Sequence, residues 1–408
     1  MDIVLHKSTI SKQSNQVVIT GSKSESNRLL LLQALYPNLK IKNLSNSDDS
    51  RVMQKALQND LKVVDVHHAG TAMRFLTTYF AVQPDRNVTL TGSARMQERP
   101  IAILVDALKK LGADIDYLGQ KGFPPLKING KLLSNNEVVL KADVSSQYIS
   151  ALLLIAPKLE NGLKLTLEGD ITSRPYINMT LSLLSEMGVN ATFKDNIIHV
   201  RHHDIIKDKT VVVESDWSSA SYFYSLVALS PTGTEIRIKS FKENSIQGDA
   251  ALKAIYNDFG VNSNFDNDSL VLKKAKEPSK ELYEYNLVNA PDIAQTIVVT
   301  CFAIGAACSL KGLHTLKIKE TDRLLALKIE LGKLGAQVQI TDNTLRLEPS
   351  KNINNQVEID TYNDHRMAMA FAPLCLKTDI IIKDAEVVSK SYPDFWNDLK
   401  ALGIKVSQ

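Results

Sequence analysis

Cysteine is scarce in this chain and supplies no framework for a fold. Cys301, Cys308 and Cys375 lie in apolar surroundings, without zinc-ligand spacing and without the even count of a disulfide scaffold, so reduced core thiols are expected. Long apolar runs are missing as well. The most apolar stretch, TIVVTCFAIGAACSL from Thr296 to Leu310, is too short for a membrane span and is interrupted by polar residues, which predicts a buried core helix. The opening MDIVLHKSTI carries an acid at its second position and no apolar stretch of signal-peptide length; secretion is not expected, and a cytoplasmic location is. No charge block of one sign occurs: 48 Lys and Arg stand against 45 Asp and Glu, which argues against nucleic acid or a membrane as partner. Metal-ligand spacing, a Walker sequence and a dinucleotide fingerprint are all lacking, so no metal or organic cofactor is expected.

What is present is an ordinary globular composition, 44% hydrophobic and 23% charged, over 408 residues. That length predicts two domains of roughly 200 residues each. Within it a helical stretch, a small hinge and a short alternating strand recur, in DALKKLGADIDYL, SLLSEMGVNATF, AIYNDFGVNSNF, IELGKLGAQVQI and DLKALGIKVSQ. Gly112, Gly188, Gly260, Gly335 and Gly403 stand at the hinge, where a helix closes with a left-handed cap. A sixth copy, MQKALQNDLKVV, has Asn59 and Asp60 there. Such punctuation belongs to any α/β protein, but six units in two domains imply three units in each.

Seven stretches carry anion-binding chemistry, and each also reads as loop and cap. GSKSESNRLLLLQAL places Lys23, Ser24 and Arg28 in the opening turns of a helix, whose free N–H groups already favour an anion. HHAGTAMRFL puts Gly70 and Thr71 at another helix start, where a missing side chain lets a ligand approach the backbone. TGSARMQERPI supplies Arg95 and Arg99, whose planar forks suit carboxylate and phosphate. DVSSQYISALL offers Ser145, Ser146 and Gln147 as neutral donors and acceptors, and TSRPYINMT offers Ser173 and Tyr176 beside a turn-fixing proline. KIKETDRLLA crowds Lys319, Glu320 and Arg323 between a short alternating run and an apolar one, with Thr321 able to cap and Asp322 near the positive helix end; NAPDIAQTI upstream adds Asp292. TYNDHRMAMAF and VSKSYPDF add His365, Arg366 and Lys390; the histidine equally fits a packed or capping role. Many cations beside two well-placed acids, Asp292 and Glu320, fit two anionic small substrates and a proton transfer.

GSKSESNR, AGTAMR, RMQERPI, DWSSASYF, QGD, KETDR, NDHRMAM and SKSYPDF occur in one order along nearly the whole chain, and in that order the sequence resembles the 5-enolpyruvylshikimate 3-phosphate synthase family. The resemblance implies an α/β (α+β) fold of two similar domains, each of three βαβαββ units, joined by two crossover strands. It implies boundaries of 1–20 with 214–408 for one domain and 21–213 for the other, with substrates in the cleft between them; a cleft formed within one chain makes a monomer the expected form. The implied reaction moves the enolpyruvyl group of phosphoenolpyruvate to the 5-hydroxyl of shikimate 3-phosphate, by addition and elimination through a tetrahedral intermediate, on the route to chorismate and the aromatic amino acids. By the same resemblance Lys23, Ser24, Arg28, Ser145, Ser146, Gln147, Ser173, Tyr176, Asp292 and Lys319 would bind shikimate 3-phosphate. Lys23, Gly70, Arg99, Gln147, Arg323, Arg366 and Lys390 would bind phosphoenolpyruvate. Asp292 would handle the hydroxyl proton and Glu320 the methylene proton, with Lys23 assisting.

The chain departs from the family pattern at His68, where asparagine is usual, at Phe75, where proline follows the arginine, and at Thr315, where some members have asparagine. Gly70 implies sensitivity to glyphosate, the family inhibitor, because a side chain there would crowd it; His68 and Phe75 weaken that expectation. Two other readings stand beside this one. A transferase acting on UDP-N-acetylglucosamine shares the fold, but it typically presents a loop cysteine and a Lys-Asn pair, whereas Ser24 follows Lys23 and TGSARMQERPI has no cysteine. A non-catalytic anion-binding protein would not need to keep Asp292 and Glu320 together.

Overall fold

The computed structural model describes residues 1–10, 15–142, 145–171 and 174–408. The chain forms two compact units, one of Met1–Thr20 with Glu214–Gln408 and one of Gly21–Val213. One repeat shows how each is built. Strand Leu282–Asn286 leads through helix Ala294–Ala303 to strand Ala307–Lys311, and helix Arg323–Lys333 then leads to strands Val338–Ile340 and Thr344–Leu347. The first two strands pair in parallel, as a helical crossover requires, and the last two add as antiparallel neighbours. This βαβαββ order recurs from Val63 to Asn129 and from Glu137 to Val200.

The crossover strands exchange partners between repeats. Strand Gln16–Val17, which precedes the first helix of the 21–213 unit, pairs in parallel with Glu235–Lys239. Strand Lys209–Val212, at the end of that unit, pairs in parallel with Leu39–Lys42. The opening strand Ile3–Leu5 pairs antiparallel with the closing strand Val406–Ser407, so the last repeat is completed by the first residues of the chain.

Five of the six hinges behave as the sequence predicts: Gly112, Gly188, Gly260, Gly335 and Gly403 have φ between 79° and 106° and each leads into a strand with an antiparallel partner. The sixth differs. Asn59 closes helix Asp48–Gln58 in an extended conformation, and the following strand Val63–Asp65 pairs in parallel with Asn87–Thr91, so it opens the next repeat. The apolar stretch from Thr296 also resolves differently from one helix. Its helix ends at Ala303, Gly305 turns the chain at φ 79°, and Ala307–Lys311 is a strand.

Helices fall into two kinds. Those rich in apolar and small residues are enclosed: Trp217–Leu229 and Ala294–Ala303 are buried at every position, and Ser146–Ile155 at every position but Gln147. Outer helices bury one stripe, as in Asp48–Gln58, where Asp49, Ser50, Met53 and Ala56 face inward. Cys301, Cys308 and Cys375 are all buried and free. Among the described residues no helix is long and apolar enough to cross a membrane.

Candidate active site

The enclosed helices carry most of the candidate residues at their N-terminal ends, where unpaired N–H groups and the helix dipole favour anions. In the 21–213 unit these are the helices Lys23–Leu35, Gly70–Ala81 and Ser146–Ile155. Gln147 Nε2 donates to Thr71 Oγ1 at 3.2 Å and ties two of the three starts together. Ser145 caps its helix by accepting from the Gln147 amide. Arg99 lies against Gly70 so closely that a β-carbon there would stand 2.6 Å from the Arg99 guanidinium. Behind it the Pro100 carbonyl accepts from Tyr148 Oη at 2.6 Å and from Arg74 Nη2 at 3.2 Å, which fixes the segment that presents Arg99. Burial pushes the Arg74 pKa down to about 10, with neighbouring Arg99 adding to the fall. Lys23 Nζ lies 3.3 Å from Asp49.

Arg28 is turned inward. Its guanidinium donates to Thr180 Oγ1, Ser150 Oγ and the carbonyls of Ser24 and Tyr176, packs against Phe75 and Tyr176, and is lowered in pKa to about 10 by burial. Phe75, one of the three residues that depart from the family pattern, thus supports Arg28 from the core. His68 shares a 2.9 Å hydrogen bond with Ser93. Ser173 lies outside the described residues.

In the other unit the centre is Arg323, 1% exposed. Its Nε donates to Asp364 Oδ2 at 2.6 Å, its Nη1 to Asp292 Oδ1 at 2.8 Å, and its Nη2 to Glu320 Oε2 at 2.7 Å. Burial alone would lower its pKa; the carboxylates of Asp364, Glu320 and Asp292 reverse this and hold it above its ordinary value. Lys319 Nζ and Arg366 Nη2 each lie 3.4 Å from the Asp292 carboxylate. Arg366 Nη1 also donates to the Asp292 carbonyl at 3.2 Å. Lys390 donates to the Asn363 carbonyl, which is presented by a turn in which Tyr362 and Asn363 both have positive φ. His365 is 2% exposed, a packed histidine with Nδ1 3.8 Å from Asp364.

Each unit therefore assembles its own set of predicted residues: Asp292, Lys319, Glu320, Arg323, Arg366 and Lys390 in one, Lys23, Gly70, Arg99, Ser145, Ser146 and Gln147 in the other. Two points of the sequence reading change. The cap of the Arg323–Lys333 helix is Asp322, which accepts from the Leu324 and Leu325 amides, and not Thr321. The acids at the site number more than two, because Asp364 pairs with Arg323 and Asp249 meets Arg366 through the Ser218 hydroxyl. Both stand in the motifs NDHRMAM and QGD, but neither aspartate gives a sign in sequence of the distant side chain it will meet. Among the described residues no group of His, Cys, Asp and Glu could hold a metal ion.

Residues 58–399 match the family model for EPSP synthase (3-phosphoshikimate 1-carboxyvinyltransferase). A 3-phosphoshikimate 1-carboxyvinyltransferase of Bacteroides fragilis (strain YCH46) is 44% identical over 96% of both chains, and one of Shewanella halifaxensis is 35% identical over 96% of this chain and 98% of its own. Among solved structures, EPSP synthase from Acinetobacter baumannii shares the fold with a TM-score of 0.80 at 21% identity, each chain covered completely. The enolpyruvyl transferase NikO from Streptomyces tendae does so at 0.74 and 13%, over 100% of this chain and 98% of its own. The mixed α/β architecture of two units joined by two crossovers is the enolpyruvyl transferase fold, and the chain belongs to the EPSP synthase family.

Proposed function

We propose that this protein transfers the enolpyruvyl group of phosphoenolpyruvate to the 5-hydroxyl of shikimate 3-phosphate and releases phosphate. One observation carries the reading beyond family membership: a buried arginine, Arg323, grips two carboxylates, Asp292 and Glu320, with Lys319 and Arg366 beside them. Two acids held apart on one cationic frame suit a reaction that removes a proton from a hydroxyl and delivers one to carbon. Asp292 takes the 5-hydroxyl proton as its oxygen attacks C2 of phosphoenolpyruvate, and Glu320 protonates the methylene carbon. The tetrahedral adduct then returns a methyl proton to Glu320 as the C–O bond to phosphate breaks, and the proton taken up by Asp292 leaves with the phosphate. Lys23, Arg99, Arg366 and Lys390 offset the charge of two phosphates and a carboxylate, and no covalent bond to the protein is needed. Arg323 directs four hydrogen bonds to its own carboxylates, so phosphoenolpyruvate must compete with Asp292 or Glu320 for it.

The reading extends to a cytoplasmic monomer that takes both substrates, with glyphosate competing at the Gly70 and Arg99 side. Purified protein should release phosphate from phosphoenolpyruvate only when shikimate 3-phosphate is added. Release with UDP-N-acetylglucosamine instead would replace the substrate, and no release with either from folded protein would favour anion binding without chemistry.

A further inference from the structure

Two of the stretches that carry the resemblance, DWSSASYF and QGD, hold none of the residues given a substrate-binding or proton-transfer role above. Asp216 caps the Trp217–Leu229 helix by accepting from the Ser219 amide at 2.8 Å. The Trp217 amide is taken by Gln247 Oε1 at 3.0 Å, and Gln247 Nε2 donates to the Ser215 carbonyl at 3.0 Å. Gln247, 6% exposed, thus clamps both sides of the helix start and sets Asp249 against its first turn. There Ser218 Oγ donates to Asp249 Oδ2 at 2.6 Å and accepts from Arg366 Nη2 at 3.2 Å.

A hydroxyl has one hydrogen. While that hydrogen points at Asp249, only lone pairs face Arg366, and the serine can act toward the arginine solely as an acceptor. Ser218 and Asp249 are both buried, and the second oxygen of the carboxylate, Oδ1, makes no hydrogen bond among the described residues. Asp249 therefore has one hydrogen-bonding task. Burial pushes its pKa up to about 6, Asp292 and Asp216 adding to the rise and Arg366 and Ser218 opposing it.

We propose that Asp249 is a positioning residue, which orients the Ser218 hydroxyl so that Ser218 accepts from Arg366 and holds that guanidinium beside Asp292 for phosphoenolpyruvate. The inference rests on the role proposed above for Arg366. Asparagine at 249 keeps the size but offers N–H groups as well as a carbonyl, so the serine hydrogen is no longer forced away from Arg366.

The test compares wild type, Ser218→Ala, Asp249→Asn and the double variant by steady-state kinetics with each substrate varied. Loss of one charge-assisted hydrogen bond should raise KM for phosphoenolpyruvate about tenfold in each single variant, with KM for shikimate 3-phosphate held within about twofold and the double variant no worse than the worse single. An unchanged KM for phosphoenolpyruvate, a parallel rise for both substrates, or effects that multiply in the double variant would overturn it. Should Asp249→Asn not fold, Ser218→Ala is judged alone on the same two KM values. A wild-type protein inactive with shikimate 3-phosphate would sink the functional reading instead. The pair would then be judged from urea unfolding, where less-than-additive changes support the Ser218–Asp249 coupling and additive ones refute it.

Discussion

At the scale of the residue, the site is a matter of which charges are matched and which side chains must be absent. Glu320→Gln keeps a hydrogen-bond acceptor for Arg323 but cannot exchange a proton with carbon, so kcat should fall by a factor of at least about a hundred with both KM values little changed, as stopped assays will show. Arg323→Lys should do more than weaken phosphoenolpyruvate. A lysine cannot reach Asp364, Asp292 and Glu320 together, and stranding the buried Asp364 should cost about 3 kcal/mol in urea unfolding beside the rise in KM. Gly70→Ala forces a methyl group to 2.6 Å from Arg99, whose flexible end must move. Raised KM for phosphoenolpyruvate and a raised half-inhibitory glyphosate concentration are expected together, and a change in neither would remove Gly70 from the site. The residue types at these positions stand out in sequence because arginine, lysine and glycine near helix starts are what recognition of phosphate and carboxylate would demand. The partners of Arg323 were not, since Asp292 and Asp364 lie 31 and 41 positions away along the chain.

At the scale of the element, the repeats were legible because a left-handed helix end selects glycine wherever a strand must follow at once. The same glycines predict a graded response to one substitution. Gly260→Ala places a β-carbon 1.9 Å from the Lys276 carbonyl, a backbone atom, on top of the strain of φ 79°. At Gly188 the φ is 84° but the nearest atom stands 3.9 Å away, at the far end of the His203 ring. Gly188→Ala should therefore cost about 1 kcal/mol in urea unfolding, for backbone strain alone, and Gly260→Ala clearly more; equal costs would mean that the crowding at Lys276 is relieved freely. Less legible was the role of the strand after Gln58, whose helix ends without such a signal. Whether a short alternating run closes a hairpin or opens a parallel crossover depends on a partner elsewhere in the chain, here Asn87–Thr91.

At the scale of the whole molecule, buried acids set a pH dependence that no motif announces. Asp249 and Asp398 are both raised to about 6, each chiefly by burial; Tyr392, which donates to Asp398, opposes the rise there, and Asp394 adds to it. The folded state thus holds these two protons more tightly than the unfolded chain, whose aspartates titrate near 3.8. Their contribution to stability is present below about pH 4 and is lost as pH rises through about 6. Asp398→Asn should accordingly flatten the urea midpoint between pH 4 and 7 relative to wild type; an unchanged slope would contradict the raised value. Length and pattern by themselves predicted a two-part protein with repeated helix-to-strand hinges and cation-rich helix starts, and the order of the motifs implied its α/β fold. They could do so because backbone conformation and helix-end chemistry are local demands that particular residues meet. Tertiary structure alone decided that Arg28 turns inward, that Asp364 and Asp249 join the site, and that strands 16–17 and 209–212 exchange partners. Each of these is a pairing between distant parts of the chain, and a hydrogen bond or a parallel register is specified only once both partners are placed.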